Sequence, residues 1–425
     1  MTLRRRSGAG GTPPTTRSSS TPGSGGARAI GGVAAEVTDY SIATPIVTGT
    51  ARWFRDSADL VAFREGGGRR RRRRHSFEYA RYGNPTVEVL EDKISAMEKA
   101  EATIVTSSGM NAIVATLLAV VPPGGHVVAT TDCYSEARAF IRDRLSKMGI
   151  RTTFVDLDDM EALQSVLDQG NVTMFYADSL TNPHLKCVDV RRVAELCHQR
   201  GALVCIDSTL ASPINQKPLT LGADVVLHSH HQVIGAGWET PWVTDFTTGM
   251  GVGFLNWHPV DITSARGRLW TPLSPPDLEA YMIIRGLKTM ALRVEAQNRT
   301  ALRVARLLER HPKVERVNYP WLESSPWHGV ARKQMTGAGG VISFEVASDM
   351  RGAMRFVDAL ELPFIATSLG GCESLVQQPA IMSYWGKSEA EKTENGIKDN
   401  LVRFSFGIEK FEDLKDDILQ ALEKI

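Results

Sequence analysis

The stretch ALVCIDST, Ala202–Thr209, reads as a short buried β-strand that ends on an aspartate. Its apolar residues run on without alternation, as in a strand covered on both faces. Similar runs recur at His126–Thr130, Thr152–Val155, Val172–Tyr176 and Ala223–Leu227. Between them lie segments of helical spacing, such as Val190–Gln199 with apolar residues at Val190, Val193, Ala194 and Cys197. Strands alternating with helices predict an α/β fold with a mostly parallel sheet. Ligands of such sheets bind beyond the carboxyl ends of the strands, where Asp132, Asp178 and Asp207 fall. Aspartate is also a common helix cap, so each alone carries little weight.

Beyond Arg285 the pattern changes. Glu295–Arg310 reads as a long helix and Val341–Val346 as a strand. Met350–Leu360 has helical spacing, Val402–Phe406 is apolar, and Phe411–Ile425 is an amphipathic end. These make a smaller α+β domain. The expected division is therefore a disordered N-terminal segment and arm over 1–75, a large domain over 76–285, and a small C-terminal domain over 286–425. The first 35 residues carry five arginines and no acid, a composition that cannot bury a core and that matches organelle transit peptides. Gly66–Arg74, three glycines and six arginines, reads as a solvated linker.

Composition narrows the function. With 42% apolar and 23% charged residues and a net charge of +1, the chain gives no electrostatic case for nucleic acid or membrane as a partner. The five cysteines are scattered without a CxxC pair, which argues against a disulfide framework or a zinc knuckle. The adjacent histidines near His228 point apart and make a poor metal site, so no metal is expected.

Ser107-Ser108-Gly109-Met110 precedes the apolar run Ala112–Val121. A helix starting there would aim free N–H groups outward and suit a phosphate, although a serine at that place is often only a cap. Tyr79-Ala80-Arg81-Tyr82-Gly83-Asn84-Pro85-Thr86 is a dense polar and aromatic cluster before another helix. It reads as a turn with a helix start, or as a source of phosphate ligands from Tyr79 and Arg81.

These segments resemble, in order, those of the Cys/Met-metabolism family of pyridoxal-phosphate (PLP) enzymes. Ser108-Gly109-Met110, Thr181-Asn182-Pro183 and Asp207-Ser208-Thr209 follow the Tyr79 cluster. Ser368-Leu369-Gly370-Gly371-Cys372-Glu373 and Arg403-Phe404-Ser405-Phe406-Gly407 complete the series. Gln378–Trp385 and Asn400–Gly407 resemble the plant cystathionine γ-synthase branch of that family. The resemblance implies the type I, aspartate aminotransferase-like fold and PLP as cofactor. It implies that Ser108, Gly109, Met110 and Ser229 hold the cofactor phosphate, and that Tyr79 and Arg81 reach the phosphate of a neighbouring subunit. Asp207 would hold the pyridine nitrogen protonated, Tyr134 would stack on the ring and move protons, and Asn182 and Thr209 would orient the cofactor. Ser368, Glu373 and Arg403 would bind the amino-acid substrate, with Arg403 on its α-carboxylate. The acid-free, arginine-rich start suggests a plastid address, with a cytoplasmic one as the alternative, while small-molecule amino-acid substrates and a homo-oligomer built as a dimer of dimers follow from the same resemblance. So does the reaction, γ-replacement on an activated homoserine ester (O-phosphohomoserine) by cysteine. A cystathionine or methionine γ-lyase of the same family, or a non-catalytic subunit, are the alternatives.

Three departures stand out. Asp178-Ser179-Leu180 replaces a Glu-Ser-Pro, and Ser208 replaces an asparagine. More seriously, the family continues from His228-Ser229 to the Schiff-base lysine, and Gln232 stands in its place. No lysine occurs between Lys217 and Lys288. Over 232–279 the resemblance vanishes and Trp238, Trp242, Trp257 and Trp270 appear. Neither periodicity is sustained, and a poorly packed excursion is expected. A non-catalytic family member, or a shifted reading frame or retained intron, would each account for it.

Overall fold

The structure, a computed structural model, describes residues 42–51, 53–65, 77–229, 233–234, 252–254 and 277–425. The arginine-rich start and most of the aberrant tract, Gln232 included, lie outside the described residues, as does the Arg81 side chain.

Among the described residues the first elements are helix α1 (Ser57–Arg64), then α2 (Pro85–Glu98), strand β1 (Ala102–Ile104) and α3 (Gly109–Val120). β2 (His126–Thr130), α4 (Ser135–Phe140), β3 (Arg151–Val155), α5 (Met160–Asp168), β4 (Met174–Asp178), α6 (Val190–His198), β5 (Leu203–Asp207), β6 (Val225–Leu227) and β7 (Val252–Phe254) follow. They make a sheet in the order β1-β7-β6-β5-β4-β2-β3. Strands β3, β2, β4, β5 and β6 are mutually parallel. β7 alone runs antiparallel, between β6 and β1.

Alternate residues of the central strands serve two cores. Val128, Phe175, Ala177, Val204 and Ile206 pack with Leu163 and Leu167 of α5 and Val193 and Cys197 of α6. Their neighbours Val127, Ala129, Met174, Tyr176 and Cys205 face the other way, onto Ile113 and Leu117 of α3. Each large apolar side chain so buried contributes about 1.5–3 kcal/mol. The unbroken apolar runs in the sequence are the imprint of this two-sided burial.

Helices α7 (Asp277–Leu287) and α8 (Met290–Leu308) lead to a second sheet of β8 (Val314–Asn318), β9 (Val341–Val346), β10 (Phe364–Ile365), β11 (Leu375–Gln377) and β12 (Leu401–Ser405). Its order is β10-β11-β12-β9-β8. Helices α9 (Met350–Asp358) and α10 (Phe411–Leu422) close its core, where Phe344 meets Phe356 edge to face at 5.7 Å. A large, mostly parallel sheet domain and a smaller mixed-sheet domain are thus the architecture anticipated above.

The expectation of a poorly packed excursion over 232–279 needs correction at the residues described there, the rest of the tract lying outside the described residues. Val252–Phe254 is a sheet strand paired on both edges, and Val233 and Ile234 are buried. The strand is short and carries a central glycine, so no two-residue period announces it. β1 and β8 escaped for similar reasons: one has three residues, the other a half-exposed pattern.

The arm ahead of α2 is clasped to that helix. Asn84 caps α2 by accepting from the Thr86 and Val87 N–H groups, while its amide donates to the Val47 carbonyl at 2.7 Å. The Thr86 hydroxyl donates to the Pro45 carbonyl at 2.8 Å and accepts from the Val47 N–H at 3.0 Å. Asn84→Ala removes the cap and takes the donor from the half-buried Val47 carbonyl. The expected cost is about 1–3 kcal/mol in urea unfolding. A midpoint within error of the parent would show that the clasp carries no stability.

Candidate functional site

The carboxyl ends of β4, β5 and β6 gather the first group of expected residues. Register places Asp178 opposite Asp207 across the β4–β5 pair. The Asp178 Oδ2 accepts the Tyr134 N–H at 2.9 Å, which fixes the turn that opens α4. Its other oxygen is buried with no hydrogen-bond partner among the described residues. Asp207 accepts the Thr209 N–H at 3.0 Å, and the Thr209 hydroxyl accepts the Ser229 N–H at 2.9 Å. One chain of bonds therefore runs from the aspartate of β5 to the serine beyond β6.

Burial raises both carboxyl pKa values, Asp178 the more, with the Asp207 charge as the next cause. For Asp207 the hydrogen bonds from Thr209 pull the other way. Tyr134 is 42% exposed above this pair; partial burial, then the charges of Glu136 and Asp178, raise its phenol pKa.

Ser108 is a cap: its hydroxyl accepts the Asn111 N–H at 2.9 Å. That leaves the Gly109 and Met110 amides in the first turn of α3, where N–H groups have no intrahelical acceptor. A Cβ on Gly109 would lie 2.9 Å from the Ser229 hydroxyl oxygen and 3.0 Å from its Cβ, so glycine permits this approach without a shift of Ser229. Two amides, a hydroxyl and a helix N-terminus make a cradle for a phosphate. Next to Ser229, His228 bonds to Glu98 at 2.6 Å, both buried. Sequence reading missed Glu98, because a buried acid at a helix end has no pattern.

The second group sits on the small sheet. Arg403 of β12 is 4% exposed. Its guanidinium donates to the Asn182 side-chain oxygen at 3.4 Å and to the Ser368 carbonyl. With its carboxamide oxygen turned inward, Gln377 accepts from the same group at 3.1 and 3.2 Å. No carboxylate pairs with Arg403 among the described residues. Burial lowers its pKa to about 10. Asn182 thus ties the Arg403 group to the large domain. Ser368 adopts a left-handed backbone (φ 72°), and Glu373 is exposed and not a partner of Arg403. Tyr79 is 36% exposed, with its ring 6.0 Å from that of Tyr82.

A cavity of about 1160 Å³ opens at the β2–β3 edge, lined by Asp132, Asp158, His184 and Lys186. Neither Asp207, Ser229 nor Arg403 lines it, so chemistry rather than volume locates the site.

The donor set fits pyridoxal phosphate: a glycine-dependent phosphate cradle at Ser229, and at Asp207 an enclosed carboxylate for a ring nitrogen. Residues 31–423 match the family described as Cys/Met metabolism PLP-dependent enzyme, and the chain belongs to that family. Among its relatives, the chloroplastic cystathionine gamma-synthase 1 of Nicotiana tabacum is 53% identical over 389 residues, which are 92% of this chain and 69% of that one. The L-methionine gamma-lyase of Fusobacterium nucleatum subsp. polymorphum is 38% identical over 91% of this chain and 94% of its own length. A crystal structure of cystathionine gamma synthase from Xanthomonas oryzae pv. oryzae, in complex with aminoacrylate and cysteine, superposes with a TM-score of 0.83. It is 30% identical, over 96% of this chain and 99% of that one.

The Asp178 titration gives a test. Its folded pKa lies above the ordinary value of about 3.9, so its stabilising contribution is complete below that pH and is lost as pH rises through the raised value. Asp178→Asn keeps an oxygen for the Tyr134 N–H and removes the ionisation. In the cofactor-free protein its gain over the parent in urea unfolding should be absent near pH 4 and grow toward pH 8. A pH-independent difference would contradict the assignment.

Proposed function

We propose that the chain is built for cystathionine γ-synthase chemistry, γ-replacement on O-phosphohomoserine by cysteine. The observation that carries this is Arg403, a buried guanidinium with neutral partners alone among the described residues. Such a group is costly unless an anion arrives, and the α-carboxylate of an amino acid offers two oxygens to its fork. Ser368 and Asn182 hold the fork in place, and Glu373 at the rim faces the rest of the substrate.

In this reading the Ser108–Met110 turn and Ser229 bind the cofactor phosphate, Asp207 and Thr209 bind the ring, and Tyr134 covers it. Bound there, PLP supplies an electron sink for charge developing on the substrate. Asp207 keeps a proton on the ring nitrogen. The Tyr134 hydroxyl excludes water from one face and moves a proton near the substrate. Tyr79 and Arg81 reach a neighbour's cofactor, so the working unit is a homo-oligomer, a dimer of dimers. The relatives' chloroplastic setting and the acid-free, arginine-rich start support a plastid address.

Gln232 limits the chain. A carboxamide neither forms the covalent link nor carries protons near neutral pH, whereas both proton transfers of γ-replacement need a base such as the absent lysine amine. This observation favours a second reading, a catalytically impaired family member. A γ-lyase is the other reading, since relatives of that kind share the fold.

Pyridoxal phosphate should therefore bind reversibly, and borohydride should leave no covalently attached pyridoxyl group. Purified protein should form no cystathionine from O-phosphohomoserine and cysteine; enzyme-like turnover would overturn the reading of Gln232. Arg403→Gln should weaken cystathionine binding in calorimetry roughly ten- to hundredfold while leaving PLP affinity within about twofold. Equal losses in both would remove Arg403 from the substrate site.

A further inference from the structure

Arg293 lies on α8 in a row of buried positions, between Met290 and Val294 and one turn before Gln297. A charge inside an apolar helix face calls for partners, and here none is a carboxylate among the described residues. The guanidinium donates to the carbonyls of Val233 at 2.7 Å, Ile234 at 3.0 Å and Gly286 at 3.1 Å, and to the Thr289 hydroxyl at 3.1 Å. Val233 and Ile234 are the residues immediately after the position of the missing lysine.

The same turn is gripped from its other side. Gly370, with φ at +73°, sits so close to Val233 that a Cβ there would lie 2.9 Å from the Val233 Cα. Gln297 donates to the Gly371 carbonyl at 2.8 Å, and the Gly370 N–H donates to the Ser405 hydroxyl at 2.9 Å. One helix face thus holds two loops. One leaves the phosphate cradle at Ser229; the other begins at Ser368, whose carbonyl holds Arg403.

We infer that Arg293 is a positioning residue for the cofactor site, fixing the exit of the Ser229 turn through the Val233 and Ile234 carbonyls and locking it against the Gly370 loop. The inference rests on the cofactor reading given under Proposed function. A planar fork suits this task, because it spans adjacent carbonyls that a lysine ammonium meets one at a time. The grip is made to main-chain carbonyls, so it does not depend on the side chains of Val233 and Ile234.

The test measures pyridoxal phosphate affinity by equilibrium dialysis on the full chain, together with visible circular dichroism of the saturated complex. Arg293→Met should raise the dissociation constant about tenfold or more and change the dichroism per bound cofactor. Arg293→Lys should fall between Met and the parent. Phe356→Leu, in the small-domain core, serves as the control: it should lower the thermal midpoint and leave affinity and dichroism alone. A parent that binds while Arg293→Met matches it in both measurements overturns the inference and leaves the cofactor site standing. A parent that fails to bind overturns the cofactor reading and the inference with it.

Discussion

Two-sided burial of β2, β4 and β5 is the constraint on which the molecule depends. Because each strand must satisfy a core above and a core below, it cannot slip by one residue without presenting the wrong set to each helix layer. Register is fixed as a result, and register is what brings Asp178 level with Asp207. The apolar interior thus does positional work for the polar edge. Two carboxylates stand side by side where solvent is scarce, a placement that no isolated strand would tolerate.

From that edge the structure extends its control by hydrogen bonds rather than by further packing. Asp207 holds Thr209, and Thr209 holds Ser229. On the small domain, Arg403 gathers Ser368 and Asn182, while Gln297 gathers Gly371. The Ser343 hydroxyl donates to the Pro183 carbonyl at 2.7 Å, a second bond between the sheets next to Asn182. Such buried polar ties have few alternatives, since breaking one strands a donor or acceptor without water. They explain why a site assembled from distant parts of the sequence keeps one geometry.

What could be read from the sequence followed from periodicity and order. Long apolar runs and the spacing of Val190, Val193 and Cys197 declared the layered α/β body. The serial order of the Tyr79, Ser108, Asn182, Asp207 and Arg403 segments declared the family. Features that make no period stayed hidden. β7 has three residues with a glycine at its centre, and its place between β6 and β1 comes from pairing alone. Glu98 and Gln377 act through contacts distant in sequence, so no local rule marks them. Arg293 left a trace, a charge within an apolar helix face, whose meaning depends on which carbonyls lie opposite.

The clasp between the arm and α2 sets a limit of another kind. Asn84 and Thr86 are buried, and their outer partners are main-chain groups of Pro45 and Val47. Main-chain partners do not read side chains, so exchanges at Ile46 or Val47 that keep the backbone path leave the clasp intact. Its loss requires loss of the backbone itself: removing the chain through Val47 takes both partners away and uncovers the start of α2.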